Sequence, residues 1–98
     1  MTSDITETAK NIERNDIMNC IFPADEVLID EESTKKRARK IHRATSLGNL
    51  EQQKVTIIFR DNEELKQLYT TIWAQTGEKI ILKDNVHLPV HRIVDIQI

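Results

Sequence analysis

The spacing of apolar residues changes near residue 54, from the period of a helix to the period of a strand. Before that point, apolar residues recur on one helix face at Ala38, Ile41, Ala44 and Thr45. Asp30 or Ser33 can accept hydrogen bonds from the free N–H groups of a first turn. Gly48 can adopt the left-handed conformation that ends many helices, so the sequence predicts a helix over residues 31–47.

After residue 54, apolar and polar residues alternate along short segments that turn residues separate. The predicted strands cover residues 55–60, 65–74, 80–82, 86–90 and 93–98. The turns between them carry Asp61-Asn62, Thr76-Gly77 and Asp84-Asn85. Short strands at this spacing are typical of a barrel or sandwich, and closure removes unpaired edges. We therefore expect a mainly β fold, a small five-stranded antiparallel barrel preceded by an α-helix, whose long second strand bends to serve both halves.

These strands also resemble known small barrels. Following one helix, the pattern Ile81-Leu82, Leu88-Pro89, Ile93 and Ile96 resembles the Sm-like and SH3-like proteins. The resemblance implies a short helical turn at His91-Arg92-Ile93 that joins the last two strands. The Sm-like class includes RNA-binding ring formers and the Rho-inhibiting protein Rof, which binds a protein. The Asn-Gly motif by which Sm proteins hold uridines has no counterpart, because Val86 follows Asp84-Asn85.

A second resemblance, over residues 26–98, is to a group of uncharacterised small bacterial proteins. The stretches that resemble this group are Ser46-Leu47-Gly48-Asn49-Leu50-Glu51 with Val55-Thr56-Ile57, Thr70-Thr71-Ile72-Trp73-Ala74, and residues 81–93. The resemblance implies a bacterial protein, and the group has no assigned activity.

The first 30 residues are expected to form an acidic, partly mobile segment ahead of a helix-and-barrel domain over residues 31–98. Residues 1–16 carry a few apolar residues at helical spacing, but a short isolated helix is marginal without packing. We expect them to be mobile. An apolar cluster follows at Ile17, Met18, Cys20, Ile21 and Phe22. This cluster is expected to anchor the segment to the barrel or to a partner.

Composition narrows the class of protein. Of the 98 residues, 39% are hydrophobic and 31% are charged, which suits one globular domain with a charged surface. The single cysteine, Cys20, permits no internal disulfide and no thiolate metal site. No secretory signal is recognised, and no apolar run approaches the roughly 20 residues that span a bilayer. We expect a cytoplasmic protein that is not associated with a membrane.

The charges are unevenly distributed, although the formal net charge is only −2. Residues 1–34 carry nine acidic and two basic side chains, whereas residues 35–54 carry seven basic and one acidic. Six of those cations lie close together, at Lys35, Lys36, Arg37, Arg39, Lys40 and Arg43. Such a run on a helix could bind the phosphates of RNA or DNA. It could equally form a solvated helix face, or pair with the acidic segment before it.

Tyr69 and Trp73 are a second candidate surface. In one continuous strand they would project from the same side of the sheet, where they could stack on bases or on a peptide. The alternative, which the sequence favours, is that both rings pack beneath a docked helix.

No residue pattern suggests catalysis, a cofactor or a metal ion. If His87 and His91 lay in one strand, their Cα atoms would be roughly 13 Å apart, too far to share an ion. Cys20 lies among apolar residues, where a thiol behaves as a small hydrophobic group. We therefore interpret the chain as a non-enzymatic protein-interaction module that binds another protein or itself. The alternative is a regulatory protein that binds RNA or DNA through residues 35–43.

Overall fold

The structure is a computed structural model, and it describes residues 8–98. Helix α1 spans Glu31–Glu51, and three 3₁₀ turns span Arg14–Asn19, Lys83–Asn85 and Val90–Arg92. The strands are β1 (Lys10–Asn11), β2 (Val55–Arg60), β3 (Leu65–Thr70), β4 (Ile72–Gln75), β5 (Lys79–Leu82), β6 (Val86–Pro89) and β7 (Ile93–Gln97). The fold is mainly β with one long helix, as the sequence predicts.

Helix α1 begins where the sequence predicts but ends later. The Asp30 carboxylate accepts a hydrogen bond from the Ser33 N–H at 2.9 Å, and acidic residues in the first turn suit the positive end of the helix dipole. The predicted end at Gly48 is wrong. The helix continues to Glu51, and Gln52 takes the left-handed conformation with φ of 55°. The Gln52 N–H donates to the Gly48 carbonyl at 3.0 Å and closes the last turn.

Gly48 has a different role, which is to let the helix approach strand β4. It lies buried in the helix interior. A Cβ atom on Gly48 would overlap the carbonyl oxygen of Ile72, far inside van der Waals contact, and would lie 3.0 Å from a methyl carbon of Thr71. Because glycine has no side chain, α1 can pack closely against β4.

The strands form two sheets, and no ladder joins them within residues 8–98. The first sheet has the strand order β1-β3-β2-β7 and the second β4-β5-β6. All pairs are antiparallel except β1 with β3, which is parallel. The prediction of a closed five-stranded barrel is therefore wrong in its closure. Helix α1 contacts β4 of one sheet and β7 of the other, so the helix and not a ladder of hydrogen bonds connects the two sheets here.

The long strand predicted over residues 65–74 is two strands. It breaks at Thr71, so that β3 belongs to the first sheet and β4 to the second. A β-bulge follows, because the residues on either side of Trp73 pair with two consecutive residues of β5. The segment does serve both halves of the fold, as predicted, and it changes sheet at this break.

The core lies between the two sheets and beneath α1. In β2, Val55, Ile57 and Phe59 are buried and alternate with less buried residues, which matches the predicted period of two. The other core residues are Ile17, Ile41, Ala44, Leu68, Ile72, Ile80, Leu82, Leu88, Ile93 and Ile96. Burial of this apolar surface is the main interaction that stabilises the fold.

The apolar cluster predicted as an anchor does pack on the core. Ile17 is buried, and Cys20 and Phe22 pack against the core residues. The Phe22 ring centroid lies 5.9 Å from that of Phe59. The two other members of the cluster, Met18 and Ile21, are exposed. Anchoring therefore depends on three of the five predicted residues.

A strap, residues 20–28, is bonded to the last 3₁₀ turn. The His91 Nε2 donates to the Pro23 carbonyl at 2.9 Å, and the Val27 N–H donates to the His91 carbonyl at 2.9 Å. The buried Arg92 donates to the Asp25 carbonyl at 2.9 Å and to a carbonyl at the end of β2 at 3.0 Å. The helical turn that the family resemblance implies is present, and it holds the strap.

The predicted mobility of residues 1–16 concerns in part residues 1–7, which lie outside the described residues. Of the rest, β1 pairs with β3, and the Ile12 N–H donates to the Gln67 carbonyl at 2.9 Å. The predicted marginal helix is absent from residues 8–13, which form the short strand β1 and the extended chain around it.

The β2–β3 turn is built around the buried Asp61 carboxylate. The carboxylate accepts hydrogen bonds from the N–H groups of Glu63 and Glu64, both at 2.9 Å, and from the Lys66 ammonium. Burial alone raises the pKa of Asp61, but these hydrogen bonds outweigh it and hold the pKa at about 2. The turn is therefore stabilised by a charge inside it.

Replacing Gly48 with Ala tests the close approach of helix and sheet. Ala has the higher helix propensity by about 1 kcal/mol, but its methyl group must displace the backbone of β4. We expect a net loss of about 1–3 kcal/mol in the free energy of unfolding, measured by urea denaturation. Gly77→Ala is the matched control, since nothing lies within 4 Å of a Cβ atom there, and it should not destabilise the fold. Wild-type stability of Gly48→Ala would contradict the packing.

Asp61→Asn tests the charge in the β2–β3 turn. The folded pKa of about 2 lies below the ordinary value of 3.8, so the ionised carboxylate stabilises the fold at neutral pH. That contribution, about 2 kcal/mol, is lost as the pH falls from about 5 to about 2. The stability difference between wild type and variant, from urea denaturation across this range, should shrink with falling pH. A difference that does not change with pH would exclude this role of Asp61.

Candidate functional site

The six cations of the basic run do not form one surface, because Arg37 points into the protein. Its side chain is only 6% exposed. The two Nη atoms donate to both carboxylate oxygens of Glu26, at 2.6 and 2.7 Å, and Nη1 also donates to the Ile93 carbonyl at 3.0 Å. The hydrogen bonds from Arg37 hold the pKa of Glu26 below its usual range. Arg37 therefore joins α1 to the strap and to β7, and is not available to a partner.

Two further cations are paired at the surface. The Lys40 Nζ lies 2.7 Å from the Asp95 carboxylate on β7, and the Lys35 Nζ lies 2.9 Å from Glu31, one turn earlier in the helix. Exposed pairs add little stability, but each carboxylate offsets the charge of its partner. Pairing with the acidic segment, one of the predicted alternatives, thus applies to Arg37, whereas Lys35 pairs within α1.

Three cations remain uncompensated. Lys36, Arg39 and Arg43 are exposed, and no carboxylate of residues 8–98 pairs with them. Their spacing places them, with Lys40, on one face of the helix. This face and the end of β7 enclose a groove of about 520 Å³ lined by Lys36, Arg39, Lys40, Arg43, Ile96, Gln97 and Ile98. We call it the basic groove.

Tyr69 and Trp73 are exposed, by 66% and 53%, and they lie in different sheets. The prediction that a docked helix covers them is wrong, because both rings are exposed. The Lys54 ammonium lies 5.9 Å from the centroid of the Tyr69 ring, a cation–π contact. Trp73 is the extra residue of the β-bulge, a feature that commonly redirects a side chain.

The C-terminal end of α1 holds the strand segment that carries Trp73. The Asn49 Nδ2 donates to the Trp73 carbonyl at 2.9 Å. The Thr71 hydroxyl donates to the Gln52 carbonyl at 3.4 Å. Leu50, between these two bonds, is 83% exposed. Four exposed side chains lie on the chain segments around these two bonds, and we call them the aromatic corner: Leu50, Lys54, Tyr69 and Trp73.

The histidine and cysteine side chains have other surroundings. His87 on β6 and His91 in the 3₁₀ turn line one pocket of about 530 Å³, yet no group of three metal-ligating side chains occurs within residues 8–98. Burial raises the pKa of the Cys20 thiol, so little thiolate forms at neutral pH. Neither feature supplies an evident chemistry.

The sequence pattern contains a signal for the cations of the basic groove and for Tyr69 and Trp73, but none for Leu50 and Lys54. Cations at intervals of three, four and seven residues indicate one helix face, although they do not reveal that β7 forms the opposite wall. The exposure of Trp73 depends on a bulge, and a bulge is defined by the pairing partner on β5. The contribution of Leu50 and Lys54 to the aromatic corner is therefore visible only in the three-dimensional structure.

Arg37→Gln tests whether Arg37 is structural. The substitution leaves the Ile93 carbonyl and Glu26 without their partner, which costs about 1–3 kcal/mol for a buried group. We expect that loss in the free energy of unfolding, from urea denaturation. Lys35→Gln, the same charge change at an exposed position, should stay within about 0.5 kcal/mol of wild type. Equal effects of the two variants would contradict the assignment.

No family model, curated protein or solved structure matches this chain. The resemblance to the Sm-like and SH3-like barrels therefore stays a prediction. Within residues 8–98, no helix is long and apolar enough to cross a membrane. What the chain does has to be inferred from the aromatic corner and the basic groove themselves.

Proposed function

We propose that this chain is a cytoplasmic, non-enzymatic protein-interaction module that binds its partner through the aromatic corner. The observation that supports this most is Trp73, the only tryptophan, which is exposed at a bulge. Tyr69 and Leu50 on the same corner are more exposed still. Large apolar side chains grouped on a surface are typical of interaction sites.

The four aromatic residues of the chain are divided between core and surface. Phe22 and Phe59 pack against each other inside, whereas Tyr69 and Trp73 lie outside. Tyr and Trp are the residues most enriched at the energetic centres of interfaces, because they bury a large area and keep one polar atom for a hydrogen bond. The aromatic corner thus has the composition of an interface centre.

The backbone beneath the corner is held in one geometry. The Asn49 amide donates to the Trp73 carbonyl and also, at 2.8 Å, to the Thr45 carbonyl one turn back. Gly48 brings the same helix turn against Ile72. A preorganised surface loses less conformational entropy when a partner binds. This favours a partner that covers the two rings without rearranging the strands.

For the fold, we propose an Sm-like or SH3-like arrangement of strands whose barrel is left open between β6 and β7. The element order supports it: after the helix come five stretches of strand, with the break between β3 and β4 inside the second. A 3₁₀ turn then precedes β7, which returns to pair with β2. Closure of such a barrel would pair β6 with β7, and no ladder joins these two strands within residues 8–98. Helix α1 contacts β4 and β7.

A photoreactive phenylalanine analogue in place of Trp73 tests the function in living cells. The Trp73 side chain is exposed, so we expect the analogue at this position to cross-link one dominant protein. The matched control carries the same analogue at Glu63, an exposed residue at the other end of β3 from Tyr69, and should yield no adduct. Adducts are read on a denaturing gel and identified by mass spectrometry. An adduct of two copies of the chain would support the self-association form of the proposal.

Trp73→Ala then measures how much the corner contributes. Loss of an interface anchor should lower affinity for the cross-linked protein about thirtyfold, which is about 2 kcal/mol. The free energy of unfolding should change by less than about 0.5 kcal/mol, because the ring is exposed. Equal cross-linking from positions 73 and 63, or undiminished affinity of Trp73→Ala, would exclude the aromatic corner as the binding site.

A further inference from the structure

The basic groove shares no residue with the aromatic corner, and it has its own chemistry. Its helix wall presents four cations, of which Lys40 is offset by Asp95. No acidic side chain of residues 8–98 lines it. We propose that this groove binds the phosphates of a single-stranded nucleic acid, through Lys36, Arg39 and Arg43.

The spacing of the three cations fits a repeating anion. With a rise of about 1.5 Å per residue, Lys36 and Arg43 are about 10.5 Å apart along the helix axis. Stacked nucleotides of one strand follow each other at about 3.4 Å, so the row of cations spans about three nucleotide steps. A strand that lies parallel to α1 can therefore meet all three cations at once. A single small anion would meet only one or two of them.

The shape of the groove favours a single strand over a duplex. A recognition helix enters the major groove of DNA, about 12 Å wide, only if its contacting face stands clear of the rest of the protein. Here the end of β7 stands beside that face and forms the second wall. Ile98 on this wall is 50% exposed and offers apolar surface to a base, while the Gln97 amide can donate and accept hydrogen bonds. A single strand can use both walls.

The overall charge of the chain does not oppose this binding. The net charge is −2, but electrostatic attraction acts mainly within a Debye length of about 8 Å at physiological salt. The side chains that line the groove include four cations, and of the carboxylates within residues 8–98 only Asp95 pairs with one of them, Lys40. The local charge of the side chains that line the groove is therefore positive although the net charge of the chain is negative.

Fluorescence anisotropy with a short, fluorescein-labelled, mixed-sequence single-stranded RNA tests the proposal. Each neutralised phosphate contributes about −0.7 to the slope of log K against log salt concentration, so three contribute about −2. Affinity should fall about tenfold between about 50 mM and about 150 mM salt. Single-stranded DNA of the same sequence should behave alike, and the matching duplex should bind more weakly.

Three single variants and one control locate the contact. Lys36→Gln, Arg39→Gln and Arg43→Gln should each reduce the slope by about 0.7, which leaves about a fivefold loss over the same salt range. Lys35→Gln is the matched control: it has the same charge change on the same helix, but Lys35 is paired with Glu31 and lies outside the groove. It should keep the wild-type slope. All four residues are exposed, so circular dichroism should show an unchanged fold.

Four results would overturn the proposal. These are no RNA binding even at about 20 mM salt, a slope that Lys35→Gln reduces as much as Lys36→Gln, tighter binding of the duplex, or equal binding of a polyglutamate peptide. The last would assign the groove to an acidic protein segment. Trp73→Ala should leave RNA binding unchanged, so failure of this proposal and failure of the proposed protein interaction can be told apart.

Discussion

The contact between helix α1 and strand β4 determines the arrangement of the rest of the molecule. The carbonyl oxygen of Ile72 occupies the space that a side chain on residue 48 would need, so the helix rests on the strand backbone itself. This contact sets the rotation and the height of the helix. Asn49 consequently meets the carbonyl of Trp73, and Arg37, three turns earlier, meets a carbonyl of β7. The helix joins two sheets that share no ladder, and both candidate surfaces take their geometry from it.

Consecutive like charges in a helical sequence do not all lie on one face of the helix. At about 100° per residue, Arg37 projects away from the face that Lys36, Arg39, Lys40 and Arg43 share. The inward one is Arg37, whose planar fork of donors can satisfy a carboxylate and a buried carbonyl together. A lysine has no such fork. The residue type at the buried position thus corresponds to its surroundings.

Local interactions explain what the sequence predicts well, and tertiary packing explains what it does not. The Asp30 cap and the alternation of β2 depend on neighbours in the chain, and both are visible in the sequence. Gly48 is ambiguous, since a glycine suits either a helix end or a close approach, and only the position of β4 decides. The break at Thr71 lies among strand-forming residues without Gly or Pro, so it has no local signal. For the candidate surfaces, the sequence supplies the cations of the groove but not its second wall.

The strap also constrains the order of events while the chain is being made. Pro23 and His91, whose hydrogen bond holds the strap, are 68 residues apart, and Asp25 and Arg92 are 67 residues apart. A ribosome adds about 5–20 residues per second, so the strap leaves it about 3 to 14 seconds before its partners do. During that interval Phe22 has no core to enter and offers an apolar segment to the chaperones that attend nascent chains. The part of this protein that is synthesised early is therefore among the last to be buried.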